Sequence, residues 1–333
     1  PQPTRINVLS KVSLYANSRL PASLPPLHLY TPTYPILCLA AQYSNTAYQP
    51  PSSLSRSEST SYIAANTRLG TKAMILKSIP LDSMNTIIFA IRGTSLLSPR
   101  DWNINWHTSP ILPTAFLDDP GNLCHRGFLK VARAMIKPIA TRLRALLQEN
   151  PSRASCSLVI TGHSAGGAVA SLLYAHMMST SSAARSELNN LTGCFKRVHC
   201  VTFGAPPISL LPLAKPPERR FQKSIFLSFV NEGDPVPRAE KAYVLSLMQL
   251  LAAPSPRGVF EQRWRVPEGT LCCAGRVVVL RVPRGKREED VTASVVSEEQ
   301  LRGVVWGDLP VHAMEVYARR VEALAIRRVT GKG

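Results

Sequence analysis

The sequence predicts an α/β fold, a mostly parallel sheet covered by helices on both faces. Three observations carry that prediction. Runs rich in β-branched residues alternate with runs of helical period along most of the chain. The pattern Gly162-x-Ser164-x-Gly166 falls where one such strand meets one such helix. Of the 333 residues, 45% are hydrophobic, enough for one large core.

The elements follow in order. Residues 1–33 are Pro- and Ser-rich without a period and are expected to form a loosely ordered arm. Residues 34–48 carry Ile36, Leu37, Leu39, Ala40 and Tyr43, a spacing that suits a helix on a core. The Ser-rich stretch 50–60 reads as a loop. Strands are expected at 72–79 and 86–91, joined through a turn at 80–85, and 95–124 has no clear period. Phe128, Val131, Met135, Ile139, Leu143 and Leu146 recur three or four apart, predicting a helix over 128–147 that Asn150 and Pro151 stop. A strand at 157–161 leads through the glycine pattern into a helix at 168–178. Strands at 198–203, 225–230 and 276–282 follow, with a helix at 243–251, a charged loop at 283–290 and a closing helix at 311–326. No repeat or long linker interrupts the pattern, so 34–326 reads as a single domain and 327–333 as a basic tail.

Composition excludes several classes. A disordered chain would be poorer in apolar residues, and 28 prolines with no glycine period exclude coiled coil and collagen. The best apolar runs, 242–253 and 36–41, are too short to span a bilayer. The formal charge is +18, spread along the chain. It favours anionic partners, nucleic acid or an acidic membrane surface, and suits a plain solvated surface equally. Zinc-finger spacing, basic heptads and RNP-type motifs are missing, so no specific nucleic-acid partner is expected. Acidic calcium-type loops and HExxH are missing too, so neither metal nor cofactor is expected. Seven cysteines, an odd number without CxxC, favour a reducing compartment. No signal-peptide pattern is visible, and the expected location is cytoplasmic or peripheral to a membrane.

The chemistry concentrates at Ser164. A serine on a sharp strand-to-helix turn projects its hydroxyl above the sheet, and bulk at Gly162 or Gly166 would strike the neighbouring backbone. A helix starting there aims its first amides, Ala165 among them, at a developing oxyanion. Such a serine needs a base, and the base an orienting acid, in the chain order serine, acid, histidine. Beyond the serine's own helix two histidines remain. His199 lies mid-strand, where it packs or bonds locally. His312 follows a Gly-Asp-Leu-Pro loop and is expected to open the last helix, where the dipole disfavours an imidazolium. Asp234 lies just past a predicted strand, as the acid should; Glu232 and Asp308 are its rivals.

Together these stretches resemble the class 3, fungal-type lipases, a family of α/β-hydrolases. The resemblance spans roughly 85–325 and rests on Ile91-Arg92-Gly93-Thr94 with Asp101-Trp102, His125-Arg126-Gly127-Phe128, and Gly162-His163-Ser164-Ala165-Gly166-Gly167. It continues through Val201-Thr202-Phe203-Gly204-Ala205-Pro206, Gly233-Asp234-Pro235-Val236-Pro237-Arg238, and His312 with Tyr317. It implies an α/β-hydrolase fold with a short lid at 95–105, whose apolar residues are Leu96, Leu97, Trp102 and Ile104. Ser164 becomes the nucleophile, Asp234 the acid and His312 the base; Thr94 and Ala165 form the oxyanion hole, and His125 and His163 are structural. The implied activity is lipase hydrolysis of acylglycerol esters, with lipid as substrate and a lipid or membrane surface as contact. A catalytically inactive lipase-like binding or regulatory protein is the alternative. The long C-terminal region with its charged loop resembles intracellular, diacylglycerol-lipase-like members.

Overall fold

The β-branched run Thr86–Ile91 forms strand β3 in a computed structural model that describes residues 10–49, 60–66, 70–79, 84–93, 109–118, 121–256 and 258–331. Ile87, Phe89 and Ile91 enter one core cluster and Ile88 the other. Successive Cβ atoms point to opposite faces of a strand, so a strand buried on both faces needs cover on both. Strand β6 (Ser157–His163) divides the same way, with Leu158 and Ile160 on one side and Val159 on the other.

The remaining strands are β1 (Thr60–Ile63), β2 (Met74–Ile79), β4 (Pro110–Ile111), β5 (Cys124–His125), β7 (Arg197–Phe203), β8 (Phe226–Asn231), β9 (Arg276–Arg281) and β10 (Thr292–Val295). Of the ten described strands, eight form one sheet in the order β1-β2-β3-β6-β7-β8-β9-β10, while β4 and β5 pair as a separate ribbon. From β3 to β9 the neighbours are parallel; β1, β2 and β10 add antiparallel edges.

The helices among the described residues are α1 (Tyr34–Thr46), α2 (Arg126–Glu149), α3 (Ala165–Met178), α4 (Glu187–Leu191), α5 (Lys241–Ala252), α6 (Glu298–Arg302) and α7 (Met314–Thr330). On one face α2 and α3 cover the sheet, with Val131, Met135, Ile139, Leu143 and Leu146 of α2 inward as their spacing predicts. On the other, α1 supplies Leu37, Ala40 and Ala41, and α7 supplies Met314, Tyr317 and Val321. Among the described residues no helix is long and apolar enough to cross a membrane.

Three expectations change. Residues 10–33 of the predicted loose arm pack on the body: Val12 and Tyr15 join Tyr243, Leu247, Leu250 and Val305, and Leu20 and Leu24 join Val230, Val279 and Trp306. Leu27 N–H donates to Ala293 C=O at 2.9 Å and Val295 N–H to Pro25 C=O at 2.7 Å, so the arm continues the sheet beyond β10. Its Lys11 ammonium also bonds Leu251 C=O at 3.0 Å, satisfying an orphan carbonyl at the end of α5. The arm's few apolar residues follow no period because each fits a different pocket of the body. At the other end, the expected tail at 327–333 is helix as far as Thr330, because the stop is Gly331 in the left-handed conformation, φ 69°. Finally, α2 opens at Arg126, two residues before the predicted start, because the His125 ring caps it, Nδ1 accepting from Phe128 N–H at 3.4 Å. The short strands β1, β4, β5 and β10 carry too little alternation to be read from sequence.

The packed arm has a measurable consequence. Tyr15 is 4% exposed and meets the Trp264 ring edge-on at 5.5 Å. Tyr15→Ala should lower the unfolding free energy by about 3 kcal/mol in urea titration, as for a buried aromatic truncation. A loose arm would leave the midpoint in place.

Candidate active site

Ser164 takes up the whole turn between β6 and α3, with φ 57° and ψ −133°. Positive φ is strained for a residue with a Cβ. It is held from both sides, since Ser164 N–H donates to Phe203 C=O at 2.9 Å and Ala168 N–H to Ser164 C=O at 3.2 Å. The close crossing of strand and helix accounts for the glycines. A Cβ on Gly162 would lie 2.5 Å from the Gly166 carbonyl carbon, and one on Gly166 would lie 2.8 Å from that of Arg92. Both obstacles are backbone and cannot swing aside. Ala165 is the first residue of α3, so its N–H is among the amides without an intrahelical acceptor. Among the described residues the Ser164 hydroxyl makes no hydrogen bond.

The two sequence-predicted partners meet beside this turn. His312 Nδ1 lies 2.8 Å from Asp234 Oδ2. The Asp234 carboxylate is fully buried; its Oδ1 accepts from Val236 N–H at 2.8 Å and its Oδ2 from the Tyr317 hydroxyl at 2.6 Å. The Tyr317 oxygen in turn accepts from Asn231 N–H at 2.9 Å. Burial, reinforced by the neighbouring Asp234 charge, pushes the Tyr317 phenol well above its ordinary range, so it stays a donor. The carboxylate thus holds the His312 ring at Nδ1 and leaves Nε2 outside the pair.

The rivals are otherwise engaged. Glu232 pairs with Arg281 Nη2 at 2.9 Å and accepts from Leu20 N–H at 3.1 Å. Asp308 stands at the head of the 3-10 turn Leu309–His312. His199 is buried in β7, its Nδ1 accepting from Ile225 N–H at 3.1 Å; burial, then Arg197 and Lys215, lower its pKa to about 4. His312 does not open the last helix. It closes that 3-10 turn, and α7 begins two residues later. Thr94, the predicted second oxyanion donor, and the predicted lid at 95–105 lie outside the described residues.

Sequence reasoning missed the site's supports. Gly204 directly follows β7 with φ 53°, and a Cβ there would stand 2.9 Å from Asp234 Oδ2 and 3.0 Å from His312 Nδ1. The Asn231 side chain donates Nδ2–H to Val311 C=O at 2.7 Å. His163, read as structural, lies between Tyr48 and the main chain of His312. The strand-end position of Gly204 was a usable signal; nothing in the sequence marks Tyr48 or Asn231.

A parallel sheet that delivers a serine from one strand end, a carboxylate from the next but one and a histidine from the last loop is an α/β-hydrolase. Residues 88–243 match the family described as lipase (class 3). Among solved structures, the Rhizomucor miehei lipase–propeptide complex is similar over 92% of this chain and 87% of its own, with 16% identity and a TM-score of 0.55. A Rhizopus microsporus var. chinensis lipase covers 91% of this chain and 94% of its own, with 17% identity and a TM-score of 0.51. A triacylglycerol lipase whose catalytic centre is a serine protease triad covers 85% and 94%, with 15% identity and a TM-score of 0.54. At these identities the likeness is one of fold. No curated protein matches the chain.

Tyr317→Phe tests the buried network. It strips one donor from Asp234 and leaves Asn231 N–H without its acceptor. Unfolding should become easier by about 1–3 kcal/mol, the usual cost of a stranded buried polar group. Unchanged stability would mean that the hydroxyl does not support the carboxylate.

Proposed function

We propose that the protein is a serine lipase that hydrolyses acylglycerol esters through an acyl-enzyme. One observation carries the reading: the strained Ser164 and the buried Asp234–His312 pair share one edge of a class 3 lipase core. His312 Nε2 takes the Ser164 proton as Oγ attacks the ester carbonyl. Asp234 holds the ring with its proton on Nδ1 and stabilises the imidazolium that forms. The tetrahedral oxyanion is met by the N–H groups of Ala165 and Thr94. His312 returns the proton to the leaving alcohol. It then takes one from water, whose oxygen attacks the acyl ester and releases the fatty acid.

Substrate class follows from the solved relatives, which are lipases, one of them a triacylglycerol lipase. The working location is peripheral, at a lipid surface, which the +18 charge supports through attraction to anionic headgroups. The apolar Leu96, Leu97, Trp102 and Ile104 would cover the acyl site in water and open at lipid, where exposing them costs nothing.

A fluorophosphonate probe should label wild type and not Ser164→Ala. Ser164→Ala or His312→Ala should lower kcat by about 10⁶, because the members act as a unit. Asp234→Asn should cost about 10⁴, by favouring the wrong tautomer. A folded wild type that neither labels nor turns over would leave the binding-protein reading. Thr94→Val should lower kcat by about 10²–10³ if the hydroxyl reaches the oxyanion, and by nothing if only the amide does. For the lid, the rate should rise sharply once substrate forms an emulsion, and Trp102→Ser should blunt that rise. A smooth curve through the solubility limit in both proteins would refute gating.

A further inference from the structure

We propose that His163, backed by Tyr48, is a positioning residue for the catalytic base: its Nε2–H holds the main chain of His312 so that the ring faces Ser164. This rests on the assignment of Ser164, Asp234 and His312 made above.

The tautomer follows from the partners. His163 Nε2 lies 2.7 Å from His312 C=O, and a carbonyl can only accept, so Nε2 carries the proton. Nδ1 lies 2.9 Å from the Tyr48 hydroxyl, which therefore donates to it. Burial, and the His312 ring beside it, hold the His163 imidazole well below the usual histidine range, consistent with a neutral ring. The two rings sit 4.5 Å apart, centroid to centroid. A neutral neighbour tolerates the imidazolium that His312 becomes during acyl transfer; a charged one would oppose it.

The His312 carbonyl needs such a donor. Helix α7 begins at Met314, and its first intrahelical acceptor is Ala313 C=O, which receives Val316 N–H at 3.0 Å. The carbonyl one residue earlier lies outside that ladder and must be satisfied from elsewhere. Val311 C=O is satisfied similarly, by Asn231 Nδ2–H at 2.7 Å. Two successive peptides are thus fastened by side chains from the ends of β6 and β8. Asp234 fixes only the ring's Nδ1, so without the main-chain anchor the ring could pivot about that bond.

The anchor is well placed for this task. His163 is bonded directly to Ser164, so nucleophile and base are referenced to the same residue. The Tyr48 hydroxyl packs against Gly93, where any Cβ would strike it, next to the Thr94 position. One hydrogen-bonded relay, Tyr48–His163–His312 C=O, thereby runs from beside Gly93 through the residue before Ser164 to the main chain of the base.

The test uses the full chain carrying His163→Leu, His163→Gln or Tyr48→Phe. Gln places an amide N–H near the position of Nε2, whereas Leu places none. On a soluble short-chain nitrophenyl ester, His163→Leu should lower kcat about 30- to 100-fold with KM little changed, the scale of a base misplaced by about 1 Å. His163→Gln should recover most of that loss. Ring-nitrogen NMR of wild type should show a neutral Nε2–H tautomer, and Tyr48→Phe should admit the Nδ1–H form with a smaller fall in kcat. Wild-type kcat in His163→Leu overturns the proposal, as does a Gln variant no better than Leu, or a wild-type ring protonated on Nδ1. If His163→Leu does not fold, Tyr48→Phe decides: wild-type kcat with an unshifted tautomer overturns it. A wild type that fluorophosphonate fails to label overturns the underlying triad as well; a labelled wild type beside an unaffected His163→Leu overturns this proposal alone.

Discussion

The fully buried carboxylate of Asp234 is the constraint on which the rest of the site depends. An ionised carboxylate withdrawn from water is tolerated only when its oxygens are met by donors. Here three donors meet it: the Val236 amide, the Tyr317 hydroxyl and the His312 ring. Each comes from a different piece of chain. The 3-10 turn after Asp234, helix α7 and the turn before α7 must all close on one atom group for the charge to be accommodated.

That closure shapes its neighbours. β7 must be followed by a residue without a side chain, because the space beside Gly204 is filled by the carboxylate, the imidazole and the Tyr317 hydroxyl. The same strand end gives Phe203 C=O to Ser164 N–H, so the turn that strains the serine and the gap that admits the acid–base pair lie one residue apart. Two residues before Asp234, Glu232 binds Arg281 of β9 and the Leu20 amide of the N-terminal arm. Arg281 also reaches Pro21 C=O at 2.9 Å. The arm therefore braces the loop that presents the acid, a role in keeping with its burial against Val230 and Trp306.

Much of this was legible in the sequence. The β-rich apolar runs at 86–91 and 157–161 placed β3 and β6, and the three-to-four spacing from Phe128 to Leu146 placed α2. Gly162 and Gly166 around Ser164 announced a crossing too tight for side chains. Local patterns of this kind determine local structure because period and steric bulk act within a few residues. Chain order left His199 and His312 as candidate bases, and Asp234 with its rivals Glu232 and Asp308 as candidate acids.

Tertiary structure decided the rest. Glu232 and Asp234 stand two residues apart, and the positions of Arg281, 47 residues beyond Asp234, and of Arg19 in the N-terminal arm commit Glu232 to ion pairs, while Asp234 meets the histidine. No period in 10–33 discloses that Val12, Tyr15 and Leu20 are buried, since their pockets are assembled from α5, β9 and the segment around Trp306. His163 reads as structural, and the sequence carries no sign of its acceptor, because that acceptor is a main-chain carbonyl, which any residue at 312 would possess. By itself the sequence determined the class of fold, the strand-to-helix turn that carries Ser164 and a short set of candidate partners for it. Which partners meet, and what holds them there, was decided by contacts between segments far apart in the chain, where hydrogen-bond satisfaction of buried groups governs and sequence spacing carries no information.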